Sequence, residues 1–259
     1  MAILRSGHDG QISYELVDGE QKKPHLVFLH EGLVCVEMWK DFPLLLCRET
    51  GCPGVVYDRL GYGRSSPLTG PRTIRYMHDY ALGELPEVIS QIIPGRDYFL
   101  IGHSDGGSIA LIHASERPAH LRGIITEAAH VFVEKETRDG IRVAVDAYRA
   151  GKLSGLSRYH GEKTEGIFTA WSETWLSDWF ADWNIEYVLP SIECPVLVFQ
   201  GIEDQYGTAA QVESIASKAV RAQKAMVEAC GHAPHQERTD VVLLLMREFL
   251  ERQMQDAAP

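Results

Sequence analysis

Tyr98-Phe99-Leu100-Ile101-Gly102-His103-Ser104-Asp105-Gly106-Gly107 sets an apolar run against a serine flanked by glycines, and Ser108 to Ser115 continues with helical periodicity. A G-x-S-x-G between a strand and a helix is a sharp turn that lifts the serine hydroxyl above a sheet edge. Small residues at Gly102 and Gly106 allow the chain to turn tightly there. The N-terminal amides of the following helix then point toward whatever the hydroxyl meets. In any other context these residues would be an ordinary tight turn.

Other runs of the same kind lie on either side: His25 to Leu29, Val55 to Tyr57, Gly123 to Thr126 and Val196 to Phe199. Continuous apolar runs of this length suit strands buried on both faces of a parallel sheet. Helix-period stretches lie between them, from Tyr76 to Ile93, from Gly106 to Glu116 and, at the end, from Asp240 to Met254. Ahead of them, Ile3-Leu4 and Ile12 to Val17 flank His8-Asp9-Gly10, the pattern of an antiparallel hairpin. The fold class predicted is α/β, a mostly parallel central sheet with an N-terminal antiparallel hairpin and helices on both faces. From Val131 to Val188 strand signals cease and the pattern turns helical, charged and rich in Trp, which predicts a helical insertion between two strands. The tail from Gln255 to Pro259 is expected to fray.

Composition removes several functions. With 36 acidic and 25 basic side chains the 259-residue chain carries a net charge of −11, and its basic residues form no run. Nucleic acid is therefore not an expected partner. No stretch reaches the ~18 apolar residues of a membrane span, and Met1 to His8 has no apolar core of a signal peptide. Five scattered cysteines, odd in number and without C-x-x-C pairs, fit a reduced compartment, so a cytoplasmic protein is expected.

The Gly102 to Gly107 stretch, in its strand-turn-helix setting, resembles the α/β-hydrolase superfamily, in its lidded, serine esterase-like form. The resemblance spans essentially the whole chain, with residues 1–130 and 189–259 as the core and 131–188 as the lid. It implies that Ser104 is the nucleophile and that an acid and then a histidine follow in chain order. After Val196 to Gly201 comes Asp204, and after Ala225 to Gly231 comes His232. Glu203 and Glu127 are rivals for the acid, with Asp204 favoured by its spacing after the glycine turn. The chemistry needs these three types because serine is a weak nucleophile until a neutral imidazole takes its proton, and a carboxylate fixes the imidazole's tautomer.

The oxyanion donors implied are the amide of Asp105 and one from His30-Glu31-Gly32-Leu33, where most relatives have His-Gly. Glu31 at the glycine position makes Gly32 the donor and Leu33 the alternative, and sets a carboxylate near the acyl site. Asp58 to Ser65 resembles a supporting turn of the family; it lacks the spacing of a phosphate loop. The Asp105 side chain is expected to cap the helix it begins, the other reading being contact with a substrate amine. His103 is expected to pack beneath the turn. His232 and His235 are spaced like a metal pair, but no third ligand is near in sequence, so neither metal nor cofactor is expected. Trp171, Trp175, Trp179 and Trp183, four residues apart, predict an aromatic stripe about 18 Å long on one helix. Substrate contacts are expected from Trp171 and Trp175, and from Trp39, which would also brace the oxyanion loop.

The function expected is hydrolysis of a small to medium carboxylic ester, thioester or lactone with an apolar part, by a monomer or homodimer. The alternatives are a carbon-carbon bond hydrolase, a perhydrolase or an acyltransferase with the same triad. A non-catalytic small-molecule receptor on the same fold is the alternative of another class.

Overall fold

The computed structural model describes residues 1–5 and 10–256. Eight strands form one sheet: β1 Ala2–Arg5, β2 Gln11–Val17, β3 His25–Leu29, β4 Gly54–Tyr57, β5 Tyr98–His103, β6 Leu121–Glu127, β7 Val196–Gly201 and β8 Ala222–Val227. Their order is β1-β2-β4-β3-β5-β6-β7-β8. The β1/β2 and β2/β4 pairs are antiparallel, and every later pair is parallel. The N-terminal hairpin is therefore present, although His8 and Asp9 of its turn lie outside the described residues.

Helices α1 Phe42–Thr50, α2 Tyr76–Asp79, α3 Leu85–Ile92, α4 Asp105–Ser115, α5 Lys135–Arg149, α6 Ser157–His160, α7 Thr164–Leu176, α8 Ala209–Lys218, α9 Pro234–Glu237 and α10 Thr239–Asp256 complete the order. Side chains alternate along each strand, so one run feeds two cores. Val27, Leu29, Leu100, Val196 and Val198 pack with residues of α2, α3, α4 and α8. Leu26, Phe28, Ile101, Leu197 and Phe199 pack on the opposite face with Phe42 and Leu46 of α1 and Val242, Phe249 and Leu250 of α10. Burying each such side chain contributes about 1.5–3 kcal/mol.

The helix expected from Tyr76 to Ile93 passes through a π turn at Tyr80–Glu84 before α3. Pro86 has no N–H to offer the carbonyl one turn back, so the backbone ladder widens ahead of it. Helices α5, α6 and α7 form the insertion between β6 and β7, which is closed at its base by a bridge between Phe132 and Asn184. The single-helix tryptophan stripe does not form. Helix α7 ends at Leu176, where Ser177 turns extended (ψ 155°), leaving Trp179 exposed and Trp183 buried beside Phe180. The final helix runs to Asp256, through part of the tail expected to fray.

Candidate active site

Ser104 sits between β5 and α4 with φ 52° and ψ −116°, left-handed backbone on a residue that is not glycine. Such strain costs on the order of 1–3 kcal/mol and persists only where the surroundings enforce it. Here the enforcement is steric. A Cβ on Gly102 would lie 2.3 Å from the Gly106 carbonyl oxygen, and one on Gly106 would lie 2.0 Å from that of Leu29. Gly106→Ala, which forces backbone against backbone, is expected to destabilise the protein by at least about 3 kcal/mol, read as a lowered urea midpoint. The Ser104 amide donates to the Glu127 carbonyl at 2.8 Å, fastening the turn to the end of β6.

The loops after β7 and β8 are held together by backbone contacts. The Glu203 amide donates to the Cys230 carbonyl at 2.8 Å, and Gly201 has no room for a side chain, since a Cβ there would meet the Cys230 and Gly231 carbonyl oxygens at 2.2 Å. This seam sets Asp204 beside His232, whose Nδ1 lies 2.9 Å from both carboxylate oxygens. The Tyr206 amide donates to Asp204 Oδ1 at 2.8 Å. Burial opposes the Asp204 charge, yet His232 and the Tyr206 amide hold its carboxyl below the usual range. Burial likewise opposes a charged His232, but the Asp204 charge and hydrogen bond, with Glu31 and Glu127 adding to them, raise its pKa above the ordinary value. Ser104 and His232 line one cleft of about 200 Å³.

The rival acids stand elsewhere. Glu127, at the end of β6, accepts the His235 amide at 2.7 Å and sits 2.9 and 3.0 Å from His235 Nδ1. Each member of the His232/His235 pair thus has its own carboxylate. His103 lies between the two pairs and donates from Nε2 to the His232 carbonyl at 2.7 Å. Burial lowers its pKa to about 3, so the ring is neutral, as that donation requires.

The loop expected to supply an oxyanion donor follows β3. His30 donates from Nδ1 to the Glu31 carbonyl at 2.7 Å and accepts the Arg59 amide at Nε2, 3.1 Å away. The buried Arg59 guanidinium donates to the Glu31 carbonyl at 2.8 Å. Asp58 accepts the amides of Val36 (2.7 Å) and Arg64 (2.9 Å), so Asp58 to Ser65 supports this loop as expected. Gly32 comes close to both Trp171 and Asp105: a Cβ there would lie 2.6 Å from Trp171 Cδ1 and 3.4 Å from Asp105 Oδ2. The Leu33 amide interacts with the Glu31 carboxylate, and Leu33 lines the cleft. The Asp105 amide occupies the first position of α4, where helix amides have no partner within the helix.

Two side chains depart from expectation. Asp105 does not cap α4: its carboxylate accepts the Tyr76 hydroxyl at 3.1 Å and lines the cleft. Trp39 makes no wall of the cleft. It is 2% exposed and packs in the core against Phe28 and against His235, 4.6 Å away, because the 3-10 turn Val36–Trp39 aims it inward. Trp171 and Trp175 do line the cleft, as do His130 and Tyr206, which no spacing in the sequence signalled. The Tyr206 ring lies 4.8 Å from that of His232. His160, from the insertion, donates from Nε2 to the Leu33 carbonyl (2.9 Å) and accepts the Gly63 amide at Nδ1 (3.0 Å).

A family model described as "Alpha/beta hydrolase family" matches residues 26–243. The chain belongs to the alpha/beta hydrolase family. Among its relatives, the proline iminopeptidase of Thermoplasma volcanium is 34% identical over a stretch covering 44% of this chain and 37% of that protein. The proline iminopeptidase of Lactobacillus helveticus is 25% identical over 92% of this chain and 94% of its own. The enol-lactonase from Burkholderia xenovorans LB400 superimposes with a TM-score of 0.76 at 18% identity, covering 96% of this chain and all of that one (100%); at that identity the likeness speaks to the fold. These alpha/beta hydrolase relatives support a hydrolase and differ in the bond they are named for. Among the described residues no helix is long and apolar enough to cross a membrane.

Proposed function

We propose that this alpha/beta hydrolase cleaves a small to medium carboxylic ester, thioester or lactone through an acyl-enzyme, with Ser104 as nucleophile, His232 as base and Asp204 as orienting acid. The observation that carries the reading is that His232, paired through Nδ1 with Asp204 behind it, lines the same cleft as a strained Ser104. Asp204 accepts a hydrogen bond from Nδ1–H, so Nε2 is the free base. His232 Nε2 takes the Ser104 proton as Oγ bonds to the substrate carbonyl carbon. The amides of Asp105 and Gly32 receive the developing oxyanion, at ~3 kcal/mol each. The carbonyl–oxygen bond to the alcohol then breaks, the alcohol leaving with the proton from His232, and water repeats the sequence to release the acid. No cofactor enters these steps.

The about 200 Å³ cleft favours a modest acyl group, since it is smaller than the roughly 300–1,000 Å³ of ordinary ligand pockets. Trp171 and Trp175 supply its apolar wall, and residues 131–188 act as the lid that carries them.

The test is hydrolysis of p-nitrophenyl esters of increasing acyl length, together with a fluorophosphonate probe and peptide mass mapping. Turnover greatest for short acyl chains, with the probe on Ser104, is the expected result. Labelling of Ser104 without ester turnover would redirect the assignment to carbon-carbon substrates, and neither signal would leave a ligand-binding protein on a hydrolase fold.

A further inference from the structure

The lining of the cleft is unbalanced in charge. Glu31, Asp105 and Glu237 contribute carboxylates to it, and no lysine or arginine does. Glu237 is engaged with its own loop, accepting the amides of Gly231 (2.7 Å) and Ala233 (3.1 Å). Glu31 and Asp105 form no ion pair among the described residues, and the Tyr76 hydroxyl reaches one Asp105 oxygen. Two guanidiniums stand behind the lining: Arg59, bonded to the Glu31 carbonyl and lying over the Tyr62 and Tyr80 rings at 4.8 and 4.9 Å, and Arg72, over the Tyr76 ring at 4.6 Å.

A third acceptor belongs to another residue of the lining. The neutral His103 ring donates from Nε2 to the His232 carbonyl, so its Nδ1 carries a lone pair. His103 is 3% exposed, lines the cleft, and has no partner for Nδ1 among the described residues. The walls opposite are the aromatic side chains of Trp171, Trp175 and Tyr206. Carboxylates withdrawn from water are costly until a cation joins them, and aromatic faces attract organic cations.

We propose that the cleft selects substrates bearing an organic ammonium group near the scissile carbonyl, held by Glu31 and Asp105 against Trp171. The placement follows from Gly32, whose surroundings bring the Trp171 indole and the Asp105 carboxylate together beside the proposed oxyanion donor. Burial, with the Asp105 charge, raises the Glu31 pKa against the opposing pull of His232 and Arg59. The net charge of −11 draws cations toward the protein. This proposal rests on the serine-hydrolase reading and names its substrate class.

Calorimetric titration with benzylammonium, benzyl alcohol and benzoate tests it without requiring turnover. Benzylammonium should bind at least about tenfold more tightly than benzyl alcohol, with benzoate weakest. In Glu31→Gln, shown to be folded by its melting curve, that advantage should shrink to less than about threefold. Equal or better binding of the alcohol or benzoate, or no binding of benzylammonium, overturns the proposal in the wild type alone. An advantage that survives Glu31→Gln overturns the assignment to Glu31. Fluorophosphonate labelling of Ser104 reports separately on the serine-hydrolase reading, so the failure of one is distinguishable from failure of the other.

Discussion

Ser104→Ala is expected to lower kcat by on the order of 10⁵- to 10⁶-fold and to abolish fluorophosphonate labelling, while the protein stays folded. Removing a nucleophile forfeits the acyl-enzyme path altogether, and what remains comes from binding and the oxyanion donors. In the proposed mechanism Ser104 and His232 act as a unit, so adding His232→Ala to Ser104→Ala should cost little more. Alanine at 104 keeps the Cβ that makes φ 52° unfavourable, so the melting temperature should barely move. Ser104→Gly relieves that strain, and it should melt higher than Ser104→Ala even though both are inactive. Wild-type turnover by Ser104→Ala would remove Ser104 from the mechanism.

Asp204→Asn should cost on the order of 10⁴-fold in kcat at neutral pH with little loss of stability. An amide at 204 presents an N–H to His232 Nδ1, so the ring carries its proton on Nε2 and has no lone pair for Ser104. The pH profile should move as well. In the wild type the base must be neutral and its pKa lies above the ordinary 6.5, so kcat/KM should fall toward acid with a midpoint above that value. With the Asp204 charge removed, the residual activity should fall at a lower pH. Glu127→Gln should act mainly on stability, since Glu127 holds His235. Full activity in Asp204→Asn with loss in Glu127→Gln would exchange their roles.

The central strands β3 to β7 were legible because each is buried almost throughout, so composition alone marked them. Ser104, Asp204 and His232 were singled out because each lies in the loop after a strand, at β5, β7 and β8, and parallel strands deliver their C-terminal loops to one edge. Tertiary contacts decided the rest. The Asp105 carboxylate turned from its helix to Tyr76, 29 positions away. Trp179 and Trp183 left the expected stripe where Ser177 ended α7. Trp39 lies in the core because a short 3-10 turn rotated it inward, a preference that propensity does not encode. His130 and Tyr206 reached the cleft, and His160 reached the loop beside it, only through the packing of the insertion on the core.

His160 has a consequence for exchanging parts between relatives. Its two ring nitrogens close one bond to the Leu33 carbonyl and one to the Gly63 amide. A chimera that keeps residues 1–130 and takes a foreign segment for 131–188 would leave an acceptor and a donor uncapped beside the oxyanion loop. Such grafts should succeed only where the donor segment brings a neutral hydrogen-bonding side chain to that spot. The insertion and the loop after β3 therefore form one unit of inheritance, although about a hundred residues of chain separate them.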